Sequence, residues 1–185
     1  MTAQAPDILI YNDECLPLFS NPLEPYWNDE HPRPRFPSRT TANYRGYVAT
    51  WEIVGDELYL TDIEGFVLTD RERKIVQGKR HYMMESVCRP MEAGEQHVAV
   101  TLDILFPQNP GRVFASWATG VLRIPQGKLL HYEHMAYGSQ YERDLLLTVR
   151  EGRVVETEVV DNTSKPYIPP WYRYGDSGGK PSDHD

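Results

Sequence analysis

The segment YRGYVATWEIVGDELYLTDIEG, residues 44–65, decides the fold class because it predicts a long β-hairpin. Gly55 and Asp56 form one of the two-residue loops that join antiparallel strands through a primed turn. This loop fixes the register, so that Val54 faces Glu57 and the pairing continues outward from there. Side chains alternate between the two sides of a strand. The predicted buried face contains Tyr47, Ala49, Trp51, Ile53, Leu58 and Leu60.

The same register places three charged residues on the buried face, at the open end of the hairpin. Arg45 lies diagonally across from Asp62 and Glu64, within reach of a long side chain. A charge on such a face must be paired or lie at the rim. One interpretation is a structural ion cluster where the sheet meets solvent. The other is the end of a pocket, in which carboxylates near an apolar wall have raised pKa values and serve as acid or base.

Three other segments before residue 107 carry structural signals. Residues 8–19 predict a small hairpin, because Asn12 and Asp13 are good turn residues between two short apolar runs. Residues 97–106 predict a strand by their alternation and β-branched content. Residues 67–88 give a mixed signal, from which we expect a short helix.

Two further hairpins are predicted in the second half of the chain. Residues 112–135 contain the turn signal PQG at 125–127, and residues 141–160 contain REG at 150–152. In both loops the glycine stands at the position that requires a left-handed backbone. The predicted common face of the last hairpin contains Leu145, Leu147, Val149, Val155, Thr157 and Val159.

Several hairpins with few helices predict an all-β fold, either an antiparallel sandwich or a partly open barrel, with at most one or two short helices. The expected domain is residues 1–160, with a Pro-rich arm at 21–38 that contains five prolines. Aromatic residues in this arm indicate that it lies against the body. Residues 161–185 are expected to form a Pro and aromatic arm that ends in a disordered tail.

Composition narrows the classes of function. The net charge of −8 and the absence of a basic run argue against nucleic acid as a partner of this acidic protein. Two distant cysteines, Cys15 and Cys88, fit a reducing compartment, and neither a signal peptide nor a membrane segment is evident. We therefore expect a soluble cytoplasmic protein. No phosphate-cradling loop occurs, which argues against dinucleotide and nucleotide triphosphate enzymes, and no cofactor is expected. A nucleophile triad has no local signature either.

Segments SNPLEPY (20–26), RGYVATWEI (45–53), LYLTDI (58–63) and GVLRIPQGKLLHYEHMAYGSQYERDLLL (120–147) resemble a family of uncharacterised small bacterial proteins. The resemblance covers most of the chain between Ile8 and Val155. It implies no activity, substrate or site.

A second polar constellation is HYEHMAYGSQYE, residues 131–142. In a strand, His131 and His134 point to opposite faces and cannot jointly bind one metal ion without a bend. The spacings typical of zinc sites are absent, so we expect no metal. His134 is expected to be a hydrogen-bonded histidine of the core or its rim.

The leading hypothesis is a binding or interaction module for a small molecule or a protein. One alternative is a small hydrolase or isomerase that uses His134 with Asp62 or Glu64. Another is an immunity-type protein whose acidic surface neutralises a basic partner. The sequence leaves the oligomeric state open. The concave face of the binding module would gather Arg45, Tyr47, Trp51, Trp117, Arg123 and His134.

Overall fold

A computed structural model describes residues 2–78, 93–109 and 111–168. Two helical segments are described, a 3-10 turn at Glu24–Tyr26 and a single α-helical turn at Leu102–Leu105. The strands are β1 (Asp7–Tyr11), β2 (Glu14–Leu18), β3 (Tyr47–Val54), β4 (Glu57–Thr69), β5 (Gln96–Ala99), β6 (Val113–Phe114), β7 (Gly120–His131), β8 (Gln140–Arg150) and β9 (Arg153–Asp161).

The strands form one sheet in the order β2-β1-β3-β4-β9-β8-β7, and the short β5 and β6 pair with β4. The two ends of this path meet, because the Phe19 amide donates to the Arg123 carbonyl at 2.8 Å. Between β4 and β9 the sheet opens, and the two strands pair only where Glu57 meets Arg153. The all-β prediction is confirmed. One pair is parallel, since β1 pairs alongside β3 through Ile8–Ile10.

The tight turns follow the local sequence signals. Asn12 and Asp13 have φ angles of 53° and 62° and join β1 to β2. Gly55, with φ of 65°, begins the turn that joins β3 to β4, and Val54 faces Glu57 as predicted. Glu151 and Gly152 make the β8–β9 turn. The three hairpins are confirmed. In the last one the loop has two residues, because Arg150 pairs with Arg153. Its predicted common face is buried only at Leu145, Leu147 and Val149, and it is exposed on β9 at Val155, Thr157 and Val159.

The hairpin predicted around residues 125–127 is wrong. β7 runs without reversal from Gly120 to His131 and pairs with β8, and the register shifts after Gln126. Gly127 has φ of 77°, so it forms a bulge in a continuous strand. Bulges and three-residue hairpin loops both require a left-handed glycine, which is why the signal was ambiguous. The amide of Lys128 finds its acceptor in the Glu142 carboxylate, at 3.0 Å.

Two other predictions need correction. The strand expected at 97–106 ends at Ala99 and gives way to the helical turn at Leu102–Leu105. In 67–88, the described part continues β4 and then makes a turn, where the Asp70 carboxylate accepts from the amides of Glu72 and Lys74. The remainder of that segment, including Cys88, lies outside the described residues, as does the tail predicted after residue 168.

The core is enclosed by β1, β3, β4, β7 and β8 and by the Pro-rich arm. Trp27 and Phe36 of the arm are buried, which confirms that the arm lies against the body. The buried face predicted for the first hairpin is confirmed at five of its six positions: Tyr47, Ala49, Trp51, Leu58 and Leu60. Ile53, at the sixth, is half-buried against the same core. Among the described helical segments, none has the length and apolarity to cross a membrane.

Candidate functional site

The charged trio predicted at the open end of the first hairpin does not form. A register shift after Thr50 leaves Trp51 opposite Leu60 but Thr50 opposite Asp62, so Thr61 is an extra residue in β4. Beyond this bulge Ile63 turns inward, while Asp62 and Glu64 are exposed. Burying an isoleucine is favourable and burying two carboxylates is costly, which selects the bulged register. Asp62 and Glu64 therefore do not share a face with Trp51.

Arg45 instead pairs with Asp7, a residue that the sequence analysis did not single out. Arg45 Nη2 lies 2.8 Å from Asp7 Oδ1, and both side chains are buried. The Asp7 carboxylate also accepts from the Ala49 amide at 3.0 Å and from the Trp51 indole at 3.1 Å. One carboxylate thus connects β1 to the arginine, backbone and tryptophan of the β3 region. Three residues of the predicted binding face, Arg45, Tyr47 and Trp51, meet here.

The rest of the Arg45 guanidinium is also fully engaged. It donates to Asn21 Oδ1 at 2.6 Å, to the Ala5 carbonyl at 3.1 Å and to the hydroxyl of Tyr137. That hydroxyl in turn donates to the Ala5 carbonyl. The network is saturated by protein groups, so its geometry is that of a structural element.

Burial dominates the electrostatics of this network. It raises the pKa of the Asp7 carboxyl above its usual value, and Arg45 and the two N–H donors limit the rise. Burial likewise raises the pKa of Tyr137 to about 12 and that of Tyr47 well above its usual value. Both phenols are therefore neutral hydrogen-bonding groups near neutral pH.

Arg123 lies in a second, adjoining network. Its guanidinium donates to Asp144 Oδ1 at 2.8 Å and to the backbone carbonyls of Tyr137 and Ser139 at 2.7 and 2.8 Å. The other Asp144 oxygen accepts from Asn162 Nδ2 at 3.0 Å. Arg123 of β7 thus binds both β8, through Asp144, and the 132–139 loop.

The remaining predicted site residues lie elsewhere. Trp117 donates its indole N–H to the Pro22 carbonyl at 2.9 Å and packs against Tyr26 and Phe106. His134 is exposed, and its Nδ1 lies 2.9 Å from the Tyr132 hydroxyl. In the described chain, no hydrogen bond or ion pair joins His134 to Asp62 or Glu64. The expected hydrogen bond of His134 is present, but its exposed side chain is not part of the core. The hairpin fold predicted for this segment is absent, so His134 follows the exposed end of β7.

A chain of contacts leads from the buried network into the Pro-rich arm. The Tyr47 hydroxyl donates to Glu24 Oε1 at 2.8 Å, and Glu24 lies 3.5 Å from Arg33 Nη2. Arg33 also donates to the Arg45 carbonyl at 2.9 Å, and its guanidinium lies 5.0 Å from the centre of the Phe36 ring. These contacts hold the Arg33 guanidinium at the inner surface of the arm, where the side chain is 10% exposed.

Arg33 lines a groove of about 290 Å³ beside the arm. Trp27 forms part of its wall and is 4% exposed, and its indole nitrogen is a buried donor without a hydrogen-bond partner. Such donors are rare in folded proteins because each costs about 1–3 kcal/mol. The other lining residues are Asn28, Asp29, Pro32, Gln77 and Gly78.

A second groove, of about 340 Å³, lies next to the turn after β4. It is lined mainly by charged side chains, including Asp70, Arg71 and Glu95, and has no aromatic wall. The described residues contain no cluster of three or more His, Cys, Asp or Glu side chains placed to hold a metal ion. The groove at Trp27 is therefore the candidate binding site.

Sequence reasoning missed Trp27 and Arg33 as site residues because a Pro-rich segment carries no periodicity that assigns its side chains to a face. The available signal was the density of aromatic and charged residues between Leu23 and Phe36. Asp7 was missed for a different reason. Its partners lie some forty residues away and its strand pairs in parallel, which no local turn signal reveals.

Comparison of the chain with family models, curated proteins and solved structures gives no match, so its assignment depends on the groove and the networks described above.

Proposed function

We propose that this protein is a non-catalytic binding module that holds a small aromatic anion in the groove beside its Pro-rich arm. The observation that carries the proposal is that Trp27, whose buried indole N–H has no hydrogen-bond partner, lines this groove. A ligand oxygen that accepts from this donor would remove the cost of its burial. The groove volume of about 290 Å³ suits a small ligand.

The adjacent Arg33 defines the charge of the ligand. Its guanidinium is fixed by Glu24, the Arg45 carbonyl and the Phe36 ring, so little side-chain entropy is lost when a ligand binds. A carboxylate is a geometric match for a guanidinium. The exposed ring of Pro32 offers apolar surface for a flat group attached to the carboxylate, and the small exposed part of the Trp27 indole adjoins it.

The geometry favours binding over catalysis. The enzyme alternative requires His134 beside Asp62 or Glu64, and these three side chains are exposed and not connected to one another in the described chain. A cytoplasmic location is part of the proposal and is supported by the exposed, unpaired thiol of Cys15. The excess of acidic residues makes nucleic acid an unfavourable partner.

The test uses benzoate as the probe and the side-chain indole signals of the four tryptophans in ¹⁵N-labelled protein. Trp27→Phe identifies the Trp27 signal by its disappearance. Millimolar benzoate is expected to shift that signal downfield, because a new hydrogen bond forms at the indole. Arg33→Gln should weaken the response about tenfold, since a charged hydrogen bond contributes roughly 1.5–3 kcal/mol.

Two controls make the result specific. Benzylammonium has the same ring and the opposite charge, and it should leave the Trp27 signal in place. Trp117 already donates to Pro22, so its signal should not respond to benzoate. Equal responses of Trp27 and Trp117, or none at either, would contradict the proposal.

A further inference from the structure

In the described chain, the outer edge of β9 is unpaired over most of its length. At the start of the strand, Arg153 bridges Glu57 and the Val154 amide donates to the Asp56 carbonyl. From Val155 to Asp161, β8 is the only strand that pairs with β9 in the described chain. One edge of this seven-residue stretch therefore presents free backbone donors and acceptors, which is the template that an added strand requires.

Between Val155 and Val159 the side chains of β9 are exposed on both faces. Val155 and Val159 are 54% and 58% exposed, and Glu156, Thr157 and Glu158 are exposed as well. Natural sheets usually cover or shorten an edge of this kind. The only irregularity is the register shift at Val155, and pairing from Glu156 to Asp161 is regular, which leaves a straight edge for a partner.

The charges of β9 define the partner. Glu156 lies opposite Thr148 and Glu158 opposite Leu146 in the β8 register, so the two carboxylates project from the same face without a cation across from them. Thr157, which lies between the two glutamates, projects from the other face together with Val159. A second copy of β9, paired antiparallel about Thr157, would place Glu156 against Glu158, and like charges in facing positions are destabilising.

We propose that the β9 edge binds an extended segment of a partner protein in which lysine or arginine alternates with β-branched residues. The backbone of that segment continues the sheet beyond β9. Its basic side chains face Glu156 and Glu158, and its apolar side chains cover Val159 and the neighbouring threonine. The net charge of −8 adds long-range attraction for such a segment.

The test uses the capped peptide acetyl-TKVKVKT-amide as the probe, with binding followed by calorimetry and by amide hydrogen exchange. Binding is expected in the micromolar to millimolar range, together with slower exchange of amides between Val155 and Asp161. A peptide of the same sequence and charge, N-methylated at alternate residues along its pairing edge, should bind at least tenfold more weakly. N-methylation removes the backbone donors and keeps the lysines.

The matched protein variants separate local contacts from net charge. Glu156→Gln with Glu158→Gln removes two charges from β9, and Glu14→Gln with Asp103→Asn removes two from exposed positions elsewhere. The first pair should weaken binding about fivefold, and the second should leave it nearly unchanged. All four positions are exposed, so both variants should fold.

The proposal is overturned by any of three results: equal affinity for the two peptides, exchange protection outside β9, or no binding at millimolar peptide. It is also overturned if the purified protein dimerises through β9, which would be seen as concentration-dependent protection of 155–161 without peptide.

Discussion

Asp7, which the sequence analysis did not single out, is the centre of the buried hydrogen-bond network. Its two carboxylate oxygens accept from Arg45, from the Ala49 amide and from the Trp51 indole, and it is completely buried. A buried pair contributes little relative to an apolar substitute, but breaking it leaves a charge without compensation. Removing the Asp7 carboxylate should therefore lower the free energy of unfolding by far more than the net contribution of the ion pair.

Asp7→Asn should lower the free energy of unfolding by about 3–5 kcal/mol, because Arg45 keeps its charge in a buried site. Urea unfolding followed by tryptophan fluorescence measures the change. Asp62→Asn is the matched control, since Asp62 is exposed and its role as acceptor for the Ile63 amide passes to the asparagine oxygen. That control should stay within about 0.5 kcal/mol of the natural protein. Similar losses for the two variants would contradict the assignment.

At the scale of the element, the turns differ in how closely other parts of the chain approach them. Gly55 and Gly152 have similar left-handed φ angles of 65° and 80°. A Cβ at Gly55 would meet nothing within 4 Å, whereas at Gly152 it would lie 2.6 Å from the Ala115 carbonyl oxygen. The β8–β9 turn is therefore packed under the segment that leads into β7, and the β3–β4 turn projects freely.

This difference predicts unequal costs for the same substitution. Gly55→Ala should destabilise the protein by about 1 kcal/mol, the cost of a left-handed alanine. Gly152→Ala carries that cost and a clash with backbone, and should lose about 3 kcal/mol in total. Thermal and urea unfolding of the two variants measure both values. Equal costs would show that Ala115 does not pack on the turn.

Elements also show how far sequence signals reach. The turns at Asn12-Asp13, Gly55-Asp56 and Glu151-Gly152 could be predicted because their chemistry is local. The bulges at Thr61 and Gly127 could not, since one extra residue reverses every side chain beyond it and only the packed core decides where it lies. This is why Arg45, Tyr47 and Trp51 were grouped correctly, while Asp62 and Glu64 were placed on the wrong face.

At the scale of the whole molecule, Tyr137 connects the ends of the strand path. Its hydroxyl contacts Asn21 and the Ala5 carbonyl, its carbonyl accepts from Arg123, and its ring stacks on Phe19 at 5.1 Å. The Trp27 groove and the β9 edge lie outside this connection. Neither could be predicted from sequence. The β9 edge depends on which strands pair with β9, and the groove depends on how the arm packs around the Trp27 indole.

Tyr137 should make stability depend on alkaline pH. Its pKa is about 12 in the folded protein and near 10 in the unfolded chain, so the folded state retains the proton longer. This contribution is complete below pH 10 and is lost as pH rises toward 12, by roughly 3 kcal/mol over the whole window. Urea midpoints between pH 8 and 11 measure it. The stability of Tyr137→Phe should decline less steeply with pH. Tyr132→Phe, at an exposed position, is the control and should match the natural protein. Identical slopes for all three proteins would contradict the prediction.

The pairing of the first strands with distant parts of the chain has a consequence for the order of folding. The hydroxyl of Tyr137 and the carbonyl of Ala5 are 132 residues apart, and Phe19 bonds to Arg123. During synthesis the β1–β2 hairpin leaves the ribosome long before β7 is made. Until then, the end of β2 cannot form its contact with β7. Contacts of such long sequence separation slow the folding reaction. Strands β1 and β2 are thus made before β7 and are among the last to reach their final neighbours.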